Sequence, residues 1–307
     1  MNIYITAKKA DFEDEKIEML EQLGNVIFIE NTFKMEEAPY LKDECDKILA
    51  VNPDYYDWNL TNEHIDKIKN LKAICLNTPS SAWVDFEYCR ELGIVVTNVP
   101  KCSTVAVAEY AIFMMMSLAR KFPLLLKSNF SSDCLEEYLM TNLKDKKVGI
   151  IGLGNIGTSI AELCNGLGMK VSYWSLKTRN DKFKYKELNQ LFKESDFIFP
   201  AFLSSADTKK IITDELILKM KSNAAFISII HNSFYNHDLL IDMVKNNELY
   251  GYAFEEENVD MFQYKGNVFV TPNYAGYTKE TMDNLVEIWL DSISGIVNDK
   301  IINSVNK

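Results

Sequence analysis

Lys147–Val171 reads KVGIIGLGNIGTSIAELCNGLGMKV, and the placement of its glycines decides the fold. Val148–Ile151 is a short apolar run suited to a buried parallel strand. Gly152-Leu-Gly154-Asn-Ile-Gly157 follows at once, and Thr158–Leu167 has the apolar spacing of a helix packed on a sheet. Each glycine has a physical task. Gly152 permits a tight turn, Gly154 lets backbone approach a pyrophosphate, and Gly157 lets the helix sit close to the strand. A diphosphate then lies on the free N–H groups of the positive helix end. The candidate cofactor-binding residues here are Gly152, Gly154, Asn155, Ile156 and Gly157. The competing reading is a glycine-rich turn with no ligand; placement between a strand and a helix argues for the dinucleotide.

Working outward, the 307 residues suit two domains, each able to bury a core. A hydrophobic fraction of 47% and a charged fraction of 25% are ordinary for a globular chain. The formal charge of -11 argues against nucleic acid or an anionic membrane as partner. Cys45, Cys75, Cys89, Cys102, Cys134 and Cys164 are scattered without a C-x-x-C. They read as free thiols in a reducing compartment, and no metal site is expected. Met1–Thr6 looks like a first strand rather than a signal sequence, and Ala111–Leu118, the longest apolar run, is too short to span a bilayer. A cytoplasmic protein is the expectation.

The first third alternates strands (Ile3–Thr6, Val26–Ile29, Lys47–Val51, Ala73–Leu76, Ile94–Thr97) with helices (Asp14–Leu23, Asn62–Asn70, Val84–Leu92). That alternation predicts a parallel sheet covered on both faces. Asn98-Val-Pro100 breaks the pattern and marks a crossing between domains. Thr104–Phe122, with Thr104 as N-cap, is predicted as the longest helix, and its Met114-Met-Met116 belongs to core or subunit interface. Beyond the glycines come a strand at Lys170–Trp174, a helix near Tyr185–Lys193, and strands at Asp196–Phe199, Ala224–Ile230, Tyr250–Phe254 and Val268–Val270. Further helices are predicted near Thr213–Met220, at Asp238–Asn246 and at Lys279–Asn298.

Dinucleotide folds that choose NAD place an acidic residue about 20 residues beyond the glycines, on the ribose hydroxyls. Here Ser175 holds that position, followed by Leu176, Lys177, Thr178 and Arg179. A carboxylate repels a 2′-phosphate, whereas Ser175, Lys177, Thr178 and Arg179 suit one. NADP is therefore the expected cofactor, with NAD as the other possibility.

The order of landmarks resembles the D-isomer-specific 2-hydroxyacid dehydrogenase family across essentially the whole chain. The matching pieces are Leu92–Pro100, Val107-Ala-Glu109, Gly152–Gly157, Asp196 with Thr208, Lys219-Met-Lys221, Ala224–Ile230 and Thr271-Pro272. The resemblance implies an α/β chain of two doubly wound parallel-sheet domains. A Rossmann dinucleotide-binding domain, residues 99–276, is inserted into a flavodoxin-like catalytic domain, residues 1–98 plus 277–307. It also implies a homodimer, a small-molecule substrate, and a site in the cleft between domains.

Reducing a 2-oxo acid by hydride calls for a cation on the carboxylate, a general acid for the alkoxide, and a carboxylate to orient that acid. The family supplies Arg, Glu and His. At the matching positions this chain has His231, Asp260 and Asn273. Asp260 keeps the charge on a shorter arm, and His231 holds a carboxylate only as imidazolium. Asn273 donates a hydrogen bond but delivers no proton. Two neighbouring loops also depart from the family: Ala201-Phe-Leu203 stands where a His-x-Pro is usual, and Thr78–Ala82 replaces a glycine-rich substrate loop. Of the three histidines, His64 reads as surface and His237 as solvated, while His231 ends a buried strand. Tyr235, Tyr274 and Tyr277 offer phenols to the same region, or simply pack. Two functions follow. One is an NADP-dependent oxidoreductase with a rearranged acid and anion site. The other is a catalytically impaired dinucleotide-binding protein, a sensor or scaffold.

Overall fold

The computed structural model describes residues 1–131, 138–202, 208, 210–257 and 260–306; Cys134 and Leu203 lie outside these. The described chain divides into two compact units, Met1–Cys102 with Lys279–Lys307, and Ser103–Thr278. The first boundary falls beyond Asn98-Val-Pro100 because Val99 and Cys102 pack into the core of the first unit. The second falls at Thr278, two residues past the expected 276.

The first unit is a parallel sheet of β1 (Asn2–Ile5), β2 (Asn25–Phe28), β3 (Lys47–Val51), β4 (Leu71–Leu76) and β5 (Val95–Thr97). The strand order β2-β1-β3-β4-β5 is the flavodoxin-like arrangement. Side chains alternate across the strands. Ile3, Ile5, Ile48, Ala50 and Cys75 join Leu20 of α1 (Asp14–Leu23) and Trp289 and Ile293 of the closing helix Lys279–Val297. Tyr4, Leu49, Val51, Ile74 and Val96 face Tyr40, Tyr56 and Trp83 on the other side. Trp289 Nε1 donates to the Cys75 carbonyl at 2.8 Å, which fixes the closing helix to β4. Two short helices, α2 (Asn62–Ile65) and α3 (Phe86–Glu91), complete the layers.

His64 is not on the surface. It is 3% exposed, and its Nε2 lies 2.8 Å from the Tyr40 hydroxyl, which in turn contacts the Tyr56 hydroxyl. Burial lowers the His64 pKa and raises that of the Tyr40 phenol, so both rings favour their neutral forms in this aromatic core.

The second unit is a seven-stranded parallel sheet flanked by helices. Its strands are β6 (Lys147–Ile151), β7 (Lys170–Trp174), β8 (Lys184–Tyr185), β9 (Phe197–Pro200), β10 (Ala225–Ile227), β11 (Gly251–Glu255) and β12 (Val268–Thr271). They run in the order β12-β11-β10-β9-β6-β7-β8. The helices are α4 (Thr104–Ala119), α5 (Phe122–Lys127), α6 (Asn155–Gly166), α7 (Leu188–Glu194), α8 (Asp214–Ile217) and α9 (His237–Lys245). α4 ends at Ala119 because Lys121 turns left-handed ahead of Pro123, so the 19-residue closing helix is the longer one. Thr104 is the first residue of α4, and Ser103 takes the cap position. Met114 and Met115 are buried, whereas Val105, Phe113 and Met116 are exposed on one stripe. Among the described residues no helix is long and apolar enough to cross a membrane, and no His, Cys, Asp and Glu cluster is placed to hold a metal ion.

Candidate functional site

All seven strands of the second unit are parallel, so their carboxyl ends share one edge. β6 is an interior strand, flanked by β7 on one side and β9 on the other, and the chain reverses its direction of travel there. Such a switch point opens a crevice beyond the strand ends. The glycine turn occupies it. Gly152 has φ +97°, and a Cβ there would press on the Ala201 carbonyl at the end of β9. At Gly157 a Cβ would run into the Gly152 carbonyl oxygen, so only glycine lets α6 begin this close to the turn. Gly154 is different: a Cβ there would meet nothing within 4 Å. The protein leaves open space above that backbone.

Gly154 is the N-cap of α6, with φ −79° and ψ −161°, and no side chain caps the helix. The first N–H groups of a helix have no intrahelical partner. Gly154 and Asn155 are exposed, and Ile156 is half-buried. An exposed, uncapped, twelve-residue helix start under a clear space is what a pyrophosphate fits.

Ser175 follows β7 directly and is 7% exposed. Its Oγ accepts the Thr178 N–H at 3.2 Å, which folds residues 175–178 into a tight turn. Arg179 Nη1 donates to the carbonyls of Ser175 and Thr178, both at 3.0 Å. Lys177 and Thr178 are exposed beside it.

His231, Asp260 and Asn273 all lie beyond the carboxyl ends of β10, β11 and β12, and all three are exposed. Among the described residues no hydrogen bond or ion pair joins any two of them. His231 and Asp260 are instead occupied locally. His231 Nδ1 accepts the Ser233 N–H at 3.2 Å and lies 2.8 Å from Ser233 Oγ. An Nδ1 that accepts carries no proton, so neutral His231 presents Nε2–H outward. Asp260 Oδ1 accepts the Phe262 N–H at 2.9 Å as the cap of a short 3-10 turn, Met261–Gln263.

A half-buried carboxylate at this edge is Glu255, which the sequence pattern does not single out. It ends β11 opposite Thr271 of β12, and its Oε1 accepts the Ala275 N–H at 2.8 Å. This pins the loop that carries Asn273. Burial pushes the Glu255 carboxyl above its ordinary value, against the pull of the Ala275 and Tyr274 N–H groups. Glu256 accepts from Tyr264 at 3.1 Å and from Asn232 at 3.4 Å. Tyr274 and Tyr277 are exposed, whereas Tyr235 is buried with its hydroxyl 2.9 Å from that of Tyr252. Tyr235 is therefore a core residue. His237 is half-buried rather than solvated: its Nδ1 is 2.9 Å from the Tyr252 hydroxyl and its ring packs edge-on to Phe254 at 4.6 Å.

Comparison with known proteins agrees with this geometry. Residues 112–275 match the family model described as D-isomer specific 2-hydroxyacid dehydrogenase, NAD binding domain. The chain is 29% identical over 254 residues to an aromatic 2-oxoacid reductase of Clostridium sporogenes, covering 74% of this chain and 77% of that one. Among solved structures, an acyclic imino acid reductase in complex with NADPH and D-Arg is 25% identical, with a TM-score of 0.85 over 99% of this chain and 100% of that one. A D-lactate dehydrogenase from Aquifex aeolicus, complexed with NAD and lactic acid, is 25% identical, with a TM-score of 0.80 over 100% and 99%. The chain belongs to the D-isomer specific 2-hydroxyacid dehydrogenase family.

Proposed function

We propose that this member of the family is an NADP(H)-dependent oxidoreductase acting on a small carbonyl or hydroxy compound through an altered acid and anion site. The observation that carries it is the open space above Gly154 at an uncapped helix start. Gly152, Gly154, Asn155, Ile156 and Gly157 form the cradle for the pyrophosphate. Ser175, Lys177, Thr178 and Arg179 form the receptor for a 2′-phosphate, where a carboxylate would repel it. When bound, the nicotinamide supplies or takes up a hydride. The residues at the strand ends then hold the substrate. Nε2–H of His231 and the Asn273 amide both donate hydrogen bonds to an electronegative atom, and Glu255 keeps the Asn273 loop in place. Asp260 acts as a negative charge beside them.

Asn273 has no proton to give, and this favours a second choice of electrophile. A protonated imine already carries the proton that carbonyl reduction must import: R₂C=NH₂⁺ plus hydride gives R₂CH–NH₂ with no acid required. The run Glu255-Glu256-Glu257 and Asp260 suits such a cation better than it suits a carboxylate. The neighbour named an acyclic imino acid reductase points the same way. Oxidation of NADPH by a panel of 2-oxo acids, with and without methylamine, tests both. Turnover that needs the amine identifies the imine. Turnover without it, falling as pH rises and lost in His231→Ala, identifies the carbonyl with His231 as acid. Brisk, pH-insensitive reduction of pyruvate alone would refute the altered site.

The exposed stripe Val105, Phe113 and Met116 on α4 supports a homodimer joined along this helix. The buried thiols of Cys75, Cys89 and Cys164 suit a cytoplasmic setting.

A further inference from the structure

The cation of the proposed 2′-phosphate receptor is built into the fold. A guanidinium has five N–H donors. Arg179 uses Nη1 on the Ser175 and Thr178 carbonyls. Among the described residues its Nε–Nη2 edge has no protein partner, and that edge is the fork that matches two phosphate oxygens. Ser175 accepts through Oγ and so keeps its own O–H for donation. Residues 175–180 are closed by Tyr173, whose hydroxyl accepts the Asn180 N–H at 2.8 Å and donates to the Asn180 carbonyl at 3.3 Å.

What holds the plane of the fork is the ring of Tyr185. The Arg179 guanidinium carbon lies 4.7 Å from the Tyr185 centroid. Tyr185 is placed there by the two-residue edge strand β8, paired opposite Tyr173 of β7, and its ring meets that of Tyr173 edge-on at 5.7 Å. An exposed arginine is otherwise free to sample many rotamers, so fixing it in advance lowers the entropic cost of binding. We propose that Tyr185 is a positioning residue for cofactor choice: its ring face fixes Arg179 so that the free fork receives the 2′-phosphate of NADP(H). This rests on the NADP(H) preference proposed above. Nothing in the arrangement serves NAD(H), which has no charge at that position.

The test is calorimetric titration of the full chain with NADPH and with NADH, for the native protein, Tyr185→Ala, Tyr185→Phe and Arg179→Ala. A cation–π contact of this kind predicts a rise in the NADPH Kd of about threefold to tenfold in Tyr185→Ala, with the NADH Kd unchanged. Tyr185→Phe keeps the ring face and loses only the 3.3 Å bond to Glu187, so both constants stay native. Arg179→Ala loses about tenfold to a hundredfold on NADPH alone. Tyr185→Leu, which fills space without a π face, replaces the alanine variant if that one fails to fold. An unchanged NADPH-to-NADH ratio in Tyr185→Ala or Tyr185→Leu overturns the role of Tyr185 while the native preference stands. Equal loss on both cofactors makes Tyr185 a structural residue only, which also overturns it. A native protein that binds NADH as tightly as NADPH overturns the preference itself, and the role of Tyr185 with it.

Discussion

Replacing Gly154 with valine separates cofactor binding from folding. The backbone at Gly154 (φ −79°, ψ −161°) is extended and open to any L residue, and an added Cβ meets no heavy atom within 4 Å. The folding cost is then that of a poorer N-cap, about 1 kcal/mol. In a unit of this size, residues 103–278, that lowers the melting temperature by about 2–4 °C. The binding cost is far larger. The valine side chain fills the space through which a pyrophosphate reaches the helix start, removing two charge-assisted bonds of about 1.5–3 kcal/mol each. That is about 3–6 kcal/mol, or roughly a hundredfold to ten-thousandfold in Kd for NADPH and NADH alike. Calorimetric titration beside a thermal melt reads both quantities. A folded Gly154→Val protein that binds NADPH within threefold of native would show that the glycine turn does not hold the cofactor.

Gly157→Ala should behave in the opposite way: its Cβ strikes the Gly152 carbonyl, so stability falls by about 1–3 kcal/mol or more in a denaturant titration, and cofactor loss follows from unfolding. Ser175→Asp should move cofactor choice from NADPH toward NADH, read as the ratio of their dissociation constants. Trp289→Phe keeps most of the packing and loses the indole bond to the Cys75 carbonyl, costing about 0.5–1.5 kcal/mol, whereas Trp289→Ala costs about 3–5 kcal/mol; urea midpoints should rank them so. His64 and His237 both have pKa values lowered by burial, so the unfolded chain binds their protons more readily than the folded one. Their contribution is fully present above the unfolded value near 6.5 and is lost as pH falls below it toward the folded values. Denaturant titrations at pH 7 and pH 5 should therefore show a loss on acidification that His64→Gln reduces.

The features readable from sequence are those whose cause is local. Gly152 answers its own left-handed turn and Gly157 answers the Gly152 carbonyl five residues earlier, whereas the fold itself places no such demand on Gly154. Strands such as Lys47–Val51 and Lys170–Trp174 announce themselves as apolar runs bounded by polar residues. His64 could not be placed from its polar neighbours, because its burial depends on Tyr40 and Tyr56, brought to it by tertiary packing. Strand β8 is only Lys184-Tyr185 and has no periodicity, so Tyr185 reads as the start of a helix that in fact begins at Leu188. Glu255 is hidden for a related reason. Glutamate is uncommon in strands, and nothing in sequence links it to Ala275, across the sheet register. Counting from the family's pattern names His231, Asp260 and Asn273 as candidates, but not the local turns that occupy the first two.

Whether hydride transfer survives is decided by following the hydride itself. The native protein is incubated with NADPH deuterated at the 4R or the 4S position, together with a panel of 2-oxo acids in the presence and absence of methylamine, and the products are analysed by mass spectrometry. Deuterium at C2 of a 2-hydroxy or 2-amino acid, from one of the two labelled cofactors and absent with Gly154→Val, is the predicted result. NADPH that binds tightly yet leaves no deuterium in any product would contradict it, and would mark the chain as a dinucleotide-binding protein that no longer moves a hydride.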